Sequence, residues 1–399
     1  MIMRKTVLYL FLLGCLFPFA SSCENDDTDF GAYKLVTSDN DDDDDDGEED
    51  EDTTTNVPSL SDTLWVAYSG TSASVTGDRK GIAAVSGADV TITDATDSTL
   101  VLILSGTATD GSLLVYREKK YTILLNGVDI YNADGPAINN QCSKSLYIVC
   151  ADGTTNTLTD GTSYADQTYQ QKGALFSEGQ TYFSGAGTLN VYGNCRNAIA
   201  CDDYITIEGD IVLNATASDT GTNGIKANDG MFINGGTLTV KAEADGARGI
   251  RCEARTEITG GTVTITTSGD CKIETVDGVV DTTSAACIKS DSLFMMTGGT
   301  LTMTSTGDGG KGINCSEDIR VSGGTFVAKT TGSNDDGKPK AVKSDTGIIV
   351  SGGSFTATVK KSWACDNGTD SETPSDHLTV EGTPVTKSIT KKSVIINFE

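Results

Sequence analysis

Histidine is almost missing from this chain: among 399 residues there is one, His377. That scarcity argues against Ser-His-Asp, Cys-His and histidine-rich zinc chemistry. Eleven cysteines are present, yet none form a CxxC pair, so a cysteine zinc site has little support either. Bases are scarce as well, with 29 Lys and Arg against 56 Asp and Glu and a formal net charge of −27. No basic arm or patch of the size that nucleic-acid binding requires is present, which leaves nucleic acid out of the expected partners. Beyond the first 22 residues, no apolar run approaches the ~18 residues of a membrane span.

What is there begins with an export signal. Residues 1–22 carry Arg4 and Lys5, an apolar stretch from Val7 to Ala20, and small residues just before Cys23. Ala20-Ser21-Ser22-Cys23 fits a relaxed lipobox, in which the Cys23 sulfur takes a diacylglycerol and the new N-terminus is acylated. Two or more acyl chains make a stable anchor. Cys15, after Leu12-Leu13-Gly14, is a rival site, but it would leave the apolar segment Leu16 to Ala20 on the mature protein. An ordinary signal peptide with a bystander cysteine is the third reading.

From Glu24 to Asn56 there are sixteen acids, including Asp41 to Asp46, against the single base Lys34. With almost no periodic apolar residues, residues 23–56 read as a disordered acidic tether, more a solvated spacer than a calcium-binding or partner-binding tail. An acidic run directly behind an acylated cysteine is similar to the surface-export signal of lipoproteins in one group of Gram-negative bacteria. The expected location is therefore the outer membrane or cell surface, with the membrane reached only through the lipid. Residues 57–399 carry the remaining charge of −14, once +2 for Arg4 and Lys5 and −15 for the tether are removed from −27.

Those residues repeat. Leu175, Ile199, Ile225, Ile250, Ile288, Ile313 and Val342 follow one another at intervals of 24, 26, 25, 38, 25 and 29, and each has a glycine ten residues later. Apolar residues inside each unit alternate with period two, as in Met231, Ile233, then Leu238, Val240, which describes short strands. Gly-Gly-Thr corners such as Gly235-Gly236-Thr237 and Gly260-Gly261-Thr262 supply backbone freedom where one strand bends into the next. Three strands in about 25 residues make a parallel β-helix. Less regular coils around Ile82, Leu114 and Ile138 bring the expected number to about ten, a rod roughly 50 Å long at the strand spacing of ~4.8 Å. Its exposed edges need caps, expected at 57–75, with Trp65, and at 377–399.

Alternation along a strand places the residue after each aliphatic outside and the next one inside. The inside column, Ser177, Cys201, Ala227, Cys252, Ser290, Cys315 and Ser344, predicts a ladder of small residues in which the cysteines are packed free thiols, too far apart to bridge. The outside column reads Asn139, Phe176, Ala200, Lys226, Arg251, Lys289, Asn314, Lys343. Four bases in one file would repel one another at about 5 Å unless anions or carboxylates compensate. Asp202, Asn228, Glu253, Asp291 and Asp345 lie two residues further along, with Asp203, Asp229 and Glu317 one step beyond. Two readings stand: a salt-bridge ladder of small individual worth, or a groove for an acidic polymer in which Asp202, Asp203, Asp229, Glu253 and Asp291 also hold calcium, a hard cation suited to such ligands.

Two insertions enter at the turn before the first strand of a coil. One, about Gly269 to Ser284, carries Asp270, Glu274, Asp277 and Asp281; the other, about Thr159 to Gly173, carries Tyr164 and Tyr169. Both should overhang the basic file, where exposed tyrosines could stack on sugar rings or serve merely as surface decoration.

Leu125-Asn126-Gly127-Val128-Asp129-Ile130, Gly135-Pro136-Ala137-Ile138, Asn156-Thr157-Leu158-Thr159-Asp160-Gly161, Gly173-Ala174-Leu175-Phe176-Ser177 and Gly185-Ala186-Gly187-Thr188-Leu189 together resemble the bacterial carbohydrate-binding-domain family with a pectate-lyase-like right-handed β-helix. The resemblance covers roughly residues 70 to 360. It implies an all-β, single-stranded right-handed parallel β-helix that binds plant cell-wall polysaccharide, with acidic pectin-type sugars and cellulose as ligands and calcium at repeated surface sites, and it implies binding more than cleavage. The usual Asp-Gly-Ile run is interrupted here, as Asp245-Gly246-Ala247-Arg248-Gly249-Ile250 and Asp308-Gly309-Gly310-Lys311-Gly312-Ile313, which puts the transfer of any one calcium site in doubt. The expectation is a surface lipoprotein binding acidic polysaccharide through Lys226, Arg251, Lys289 and Lys343. A calcium-dependent lyase using a Lys or Arg base, and a purely structural adhesin, are the alternatives.

Overall fold

The computed structural model describes residues 63–276, 279–333 and 337–399. The signal segment, Cys23, the acidic tether, residues 57–62 and Asp277 lie outside the described residues. The chain winds into a β-solenoid of about 11 turns, with parallel strands stacked from coil to coil. A representative coil runs through Asn223–Ala227 on a first face, Gly230–Ile233 on a second and Thr237–Ala242 on a third. Each pairs in parallel with its counterparts in the coils before and after, as Ile225 does with Ile199 and Ile250.

Period-two sequence produces this directly. Ile225, Met231, Ile233, Leu238 and Val240 are all fully buried, while the alternate residues Lys226, Phe232 and Thr239 are partly exposed. Each large side chain taken wholly out of water contributes roughly 1.5–3 kcal/mol of hydrophobic stabilisation. In the C-terminal coils phenylalanines fill the interior: Phe326 and Phe355 stack at 4.7 Å with ring planes 9° apart, and Phe294 meets Phe326 edge-on at 6.3 Å. The small-residue ladder is buried throughout, from Ser177 to Ser344, and the nine cysteines of the described residues are free thiols.

The corner between second and third faces depends on its second glycine. Gly261 sits at φ +77°, and a Cβ there would come within 2.6 Å of the Gly235 carbonyl oxygen of the preceding coil. Corners stack on corners, so the requirement repeats from coil to coil. A different constraint governs the glycine before each first-face aliphatic. A Cβ on Gly224 or Gly249 would strike the core side chain of Val240 or Ile265 at 2.2 Å. Glycine and aliphatic therefore both face the interior, and simple alternation breaks at this point. The residue before the glycine is turned outside, against the expectation from period two.

Both ends are closed by antiparallel strands. At the N-terminal end Ser72–Thr76 covers Thr63–Gly70, and Ala83–Ser86 covers Asp89–Asp94. Residues 63–70 are thus themselves a rung, pairing in parallel with Val101–Ala108. Of the cap expected at 57–75, residues 72–75 do cover this end and the cover continues to 86, so Ile82 belongs to it rather than to a coil. Leu113, not Leu114, is the buried residue of the next coil. At the C-terminal end Ser393–Asn397 covers Ser354–Val359, and Thr386–Ile389 pairs outside it. There His377 is buried, its ring 4.1 Å from that of Trp363 and its Nε2 2.8 Å from the Ser371 carbonyl oxygen.

Candidate functional site

The first face carries the basic file in strict register: Ala200, Lys226, Arg251, Lys289, Asn314 and Lys343 pair in succession. Its carboxylates are engaged by these bases. Glu253 receives Lys226 of the preceding coil at 3.0 Å. Asp291 receives Lys289 at 2.9 Å together with the Arg251 guanidinium, and Asp345 receives Lys343. Burial works to raise the Asp291 carboxyl, but hydrogen bonds and charge from Arg251 and Lys289 outweigh it and hold it below its ordinary value.

Beside this file runs a second one that alternation conceals. Arg248, Ala286, Lys311 and Lys340 pair in register on the same strands, outside the core because the glycine or small residue after each faces inward. Lys340 binds Asp366 at 2.7 Å. Lys311 is buried and gives its ammonium protons to Ser284 Oγ and to the Gly337 carbonyl oxygen, the latter at 3.2 Å. Burial first, then repulsion from Lys343 and Lys340, brings the Lys311 pKa down to about 8. The clue in sequence was the glycine before Ile225, Ile250 and Ile313. A residue without a side chain next to a core aliphatic marks a packed position, and that displaces its predecessor outward.

The metal-ligand candidates are dispersed. Asp202 lies 2.5 Å from Lys172, while Glu253 and Asp291 serve the basic file. Asp203 and Asp229 approach each other, and burial followed by the Asp229 charge raises the Asp203 carboxyl despite an opposing bond from the Tyr204 amide. Among the described residues no three His, Cys, Asp or Glu side chains gather as a metal ion requires.

The tyrosines of the first insertion are not free platforms. Tyr164 donates its hydroxyl proton to the buried Asp160 at 2.6 Å, with Arg196 5.6 Å from its ring centre. Tyr169 is half-buried, edge-on to Tyr116 at 6.3 Å. The reason is the loop's course. It covers the apolar start of the outside column, where Asn139 donates to the Gln170 carbonyl oxygen at 3.0 Å and Lys172 lies 5.4 Å from the Phe176 ring centre. Phe176 and Ala200 are consequently buried, not surface residues. In the second insertion Lys272–Val276 and Val279–Thr283 form an antiparallel hairpin, and the residue after it, Ser284, meets Lys311 beside the basic file.

The chain is thus a capped β-solenoid of short parallel strands with paired carboxylates and bases along one face. Residues 86–362 match the family described as carbohydrate-binding domain-containing protein, and the chain belongs to that family. A carbohydrate-binding domain-containing protein of Acetivibrio thermocellus is 31% identical over 110 residues, a stretch that covers 26% of this chain and 38% of the relative. Among solved structures, the polysaccharide lyase-like protein from C. thermocellum, as its gadolinium derivative, aligns with a TM-score of 0.52 and 24% identity over 65% of this chain and 96% of its own; the likeness is one of fold.

Proposed function

We propose that this protein is a surface-anchored lipoprotein that binds acidic, pectin-like polysaccharide along its first face. One observation carries the reading. The four rungs from Arg248 to Ser344 carry six bases: Arg251, Lys289, Lys340 and Lys343 pair with three carboxylates, Asp291, Asp345 and Asp366, and Arg248 and Lys311 pair with none among the described residues. On so acidic a chain this local excess of positive charge suits a polyanion running parallel to the solenoid axis. Rigid stacking holds the bases at the regular spacing that a repeating polymer requires. Tyr164 and Tyr169, folded into their own loop, play no part in the proposal. Calcium enters it as an ion bridging the ligand's carboxylates to Asp203 and Asp229, since the described side chains alone do not gather as a metal ion requires. Lys226→Glu combined with Arg251→Glu should abolish retardation of the protein in gels containing polygalacturonate; unchanged retardation would remove the site from this face.

Lys311 favours a second reading. A lysine with its pKa near 8 has the property of a general base in a polysaccharide lyase, where it would take the proton beside a uronate carboxylate. Ultraviolet absorbance of unsaturated products on incubation with polygalacturonate and calcium would move the protein from binder to lyase. A glycan array that returned no ligand with or without calcium would favour a structural adhesin.

A further inference from the structure

We infer that Arg248 and Lys311 are the two sides of a notch, floored by Ala286 and bordered by Ser284, that takes a single carboxylate group of an acidic sugar residue. The inference rests on the acidic-polymer reading and adds to it the point where one sugar is fixed.

The register places Arg248 and Lys311 two rungs apart with Ala286 between them, a separation of about 10 Å between backbones. Both side chains are long enough to converge over an alanine. Neither has a carboxylate partner among the described residues, whereas Arg251, Lys289, Lys340 and Lys343 each have one. Arg248 Nε is buried with no hydrogen-bond partner, an arrangement that costs free energy unless a ligand acceptor completes it. The Arg248 guanidinium is destabilised first by burial and then by Arg251, with Asp291 opposing. Among the described residues Lys311 is held by two neutral oxygens, from Ser284 after the hairpin and from Gly337. The charged and titratable groups that act on it are Lys343, Lys340 and Arg248 from the first face and Cys271 from the base of the hairpin.

A cation with an unpartnered N–H beside one bonded to neutral oxygens suits an oxyanion, and a planar carboxylate can accept a hydrogen bond from each side. Lys311 also gives the interaction a pH dependence. The anion is held while Lys311 is protonated, and the hold loosens as pH rises through about 8. Binding in turn raises the Lys311 pKa, by linkage.

The test is titration of the full chain with trigalacturonate from pH 6.5 to 9, on the unaltered protein, Arg248→Gln, Lys311→Gln and, as a third-face control, Lys241→Gln. The unaltered protein and the control should lose affinity at least fivefold over that range, while Lys311→Gln should bind at least fivefold more weakly at pH 6.5 and show no such profile. Arg248→Gln should weaken binding and keep the profile. An unaltered protein that binds without pH dependence, or a Lys311→Gln variant that behaves like it, overturns the notch. A second readout separates this from failure of the polymer reading: sodium sulfate should raise the melting temperature of the unaltered protein more than that of Lys311→Gln. Sulfate stabilisation without trigalacturonate binding would keep an oxyanion notch but overturn its assignment to sugar, and equal stabilisation of both proteins would overturn the notch itself.

Discussion

Asp291 joins two rungs of the solenoid by accepting from both Arg251 of one coil and Lys289 of the next, the latter at 2.9 Å. The pairing keeps two cations in place while neutralising only one of them. Asp291→Asn is therefore expected to strengthen retardation by polygalacturonate several-fold, with a stability loss of about 1 kcal/mol or less for a partly exposed pair. Because the folded Asp291 carboxyl titrates below its ordinary value of 3.8, the stabilisation is complete above that pH. It is lost as pH falls through the lower folded value. Paired urea titrations of the two proteins at pH 7 and pH 3 should show the difference between them shrink at the acid end.

Lys311 has the opposite sign. Its folded pKa of about 8 lies below the ordinary 10.5, so between these values the unfolded chain holds a proton that the folded chain has released. Stability should rise with pH across that interval. Lys311→Met should abolish this rise and leave the melting temperature at pH 7 equal or higher, as removal of a buried uncompensated cation does. A lower melting temperature, measured by differential scanning calorimetry, would show that its bonds to Ser284 and Gly337 outweigh its burial.

Much of this was legible from spacing. The recurrence from Leu175 to Val342 located seven rungs, and the residue after each aliphatic did form one outside file, because parallel in-register stacking converts equal sequence offset into a straight column. Two things escaped it. Alternation fails at Gly224 and Gly249, whose missing side chains make room for Val240 and Ile265, and this hid Arg248, Lys311 and Lys340. The destination of a loop is a tertiary fact, so nothing in Thr159 to Gly173 announced that Tyr164 would be tied to Asp160 or that Phe176 would be covered.

Gly261→Ala should be costly for a residue so small. The φ of +77° disfavours any side chain, and the added carbon meets the backbone of the coil beneath. A loss of at least ~1 kcal/mol is expected from the backbone conformation alone, with more from the clash. Chemical denaturation monitored by circular dichroism measures it.

Thiol labelling provides a check on the interior. Burial pushes the Cys201 and Cys287 thiols up to about 12, and only Cys195 and Cys271 among the described cysteines are partly exposed. Mass spectrometry after alkylation of the native protein should find those two modified and Cys201, Cys252, Cys287 and Cys315 unmodified until denaturant is added.

Chelation tests the bridging ion. EGTA should weaken polygalacturonate retardation of the unaltered protein, and Asp203→Asn with Asp229→Asn should bind as weakly without EGTA as the unaltered protein does with it. Equal retardation of the unaltered protein in calcium and in EGTA would remove calcium from the account.

The central claim is that the first face recognises negative charge on a glycan chain. Equilibrium titration with an oligogalacturonate and with its fully methyl-esterified counterpart, the same sugars without the charge, tests it most directly. The free acid should bind, with an affinity that falls steeply as salt is added, and the ester should bind at least tenfold more weakly. Equal affinity for both would contradict the account.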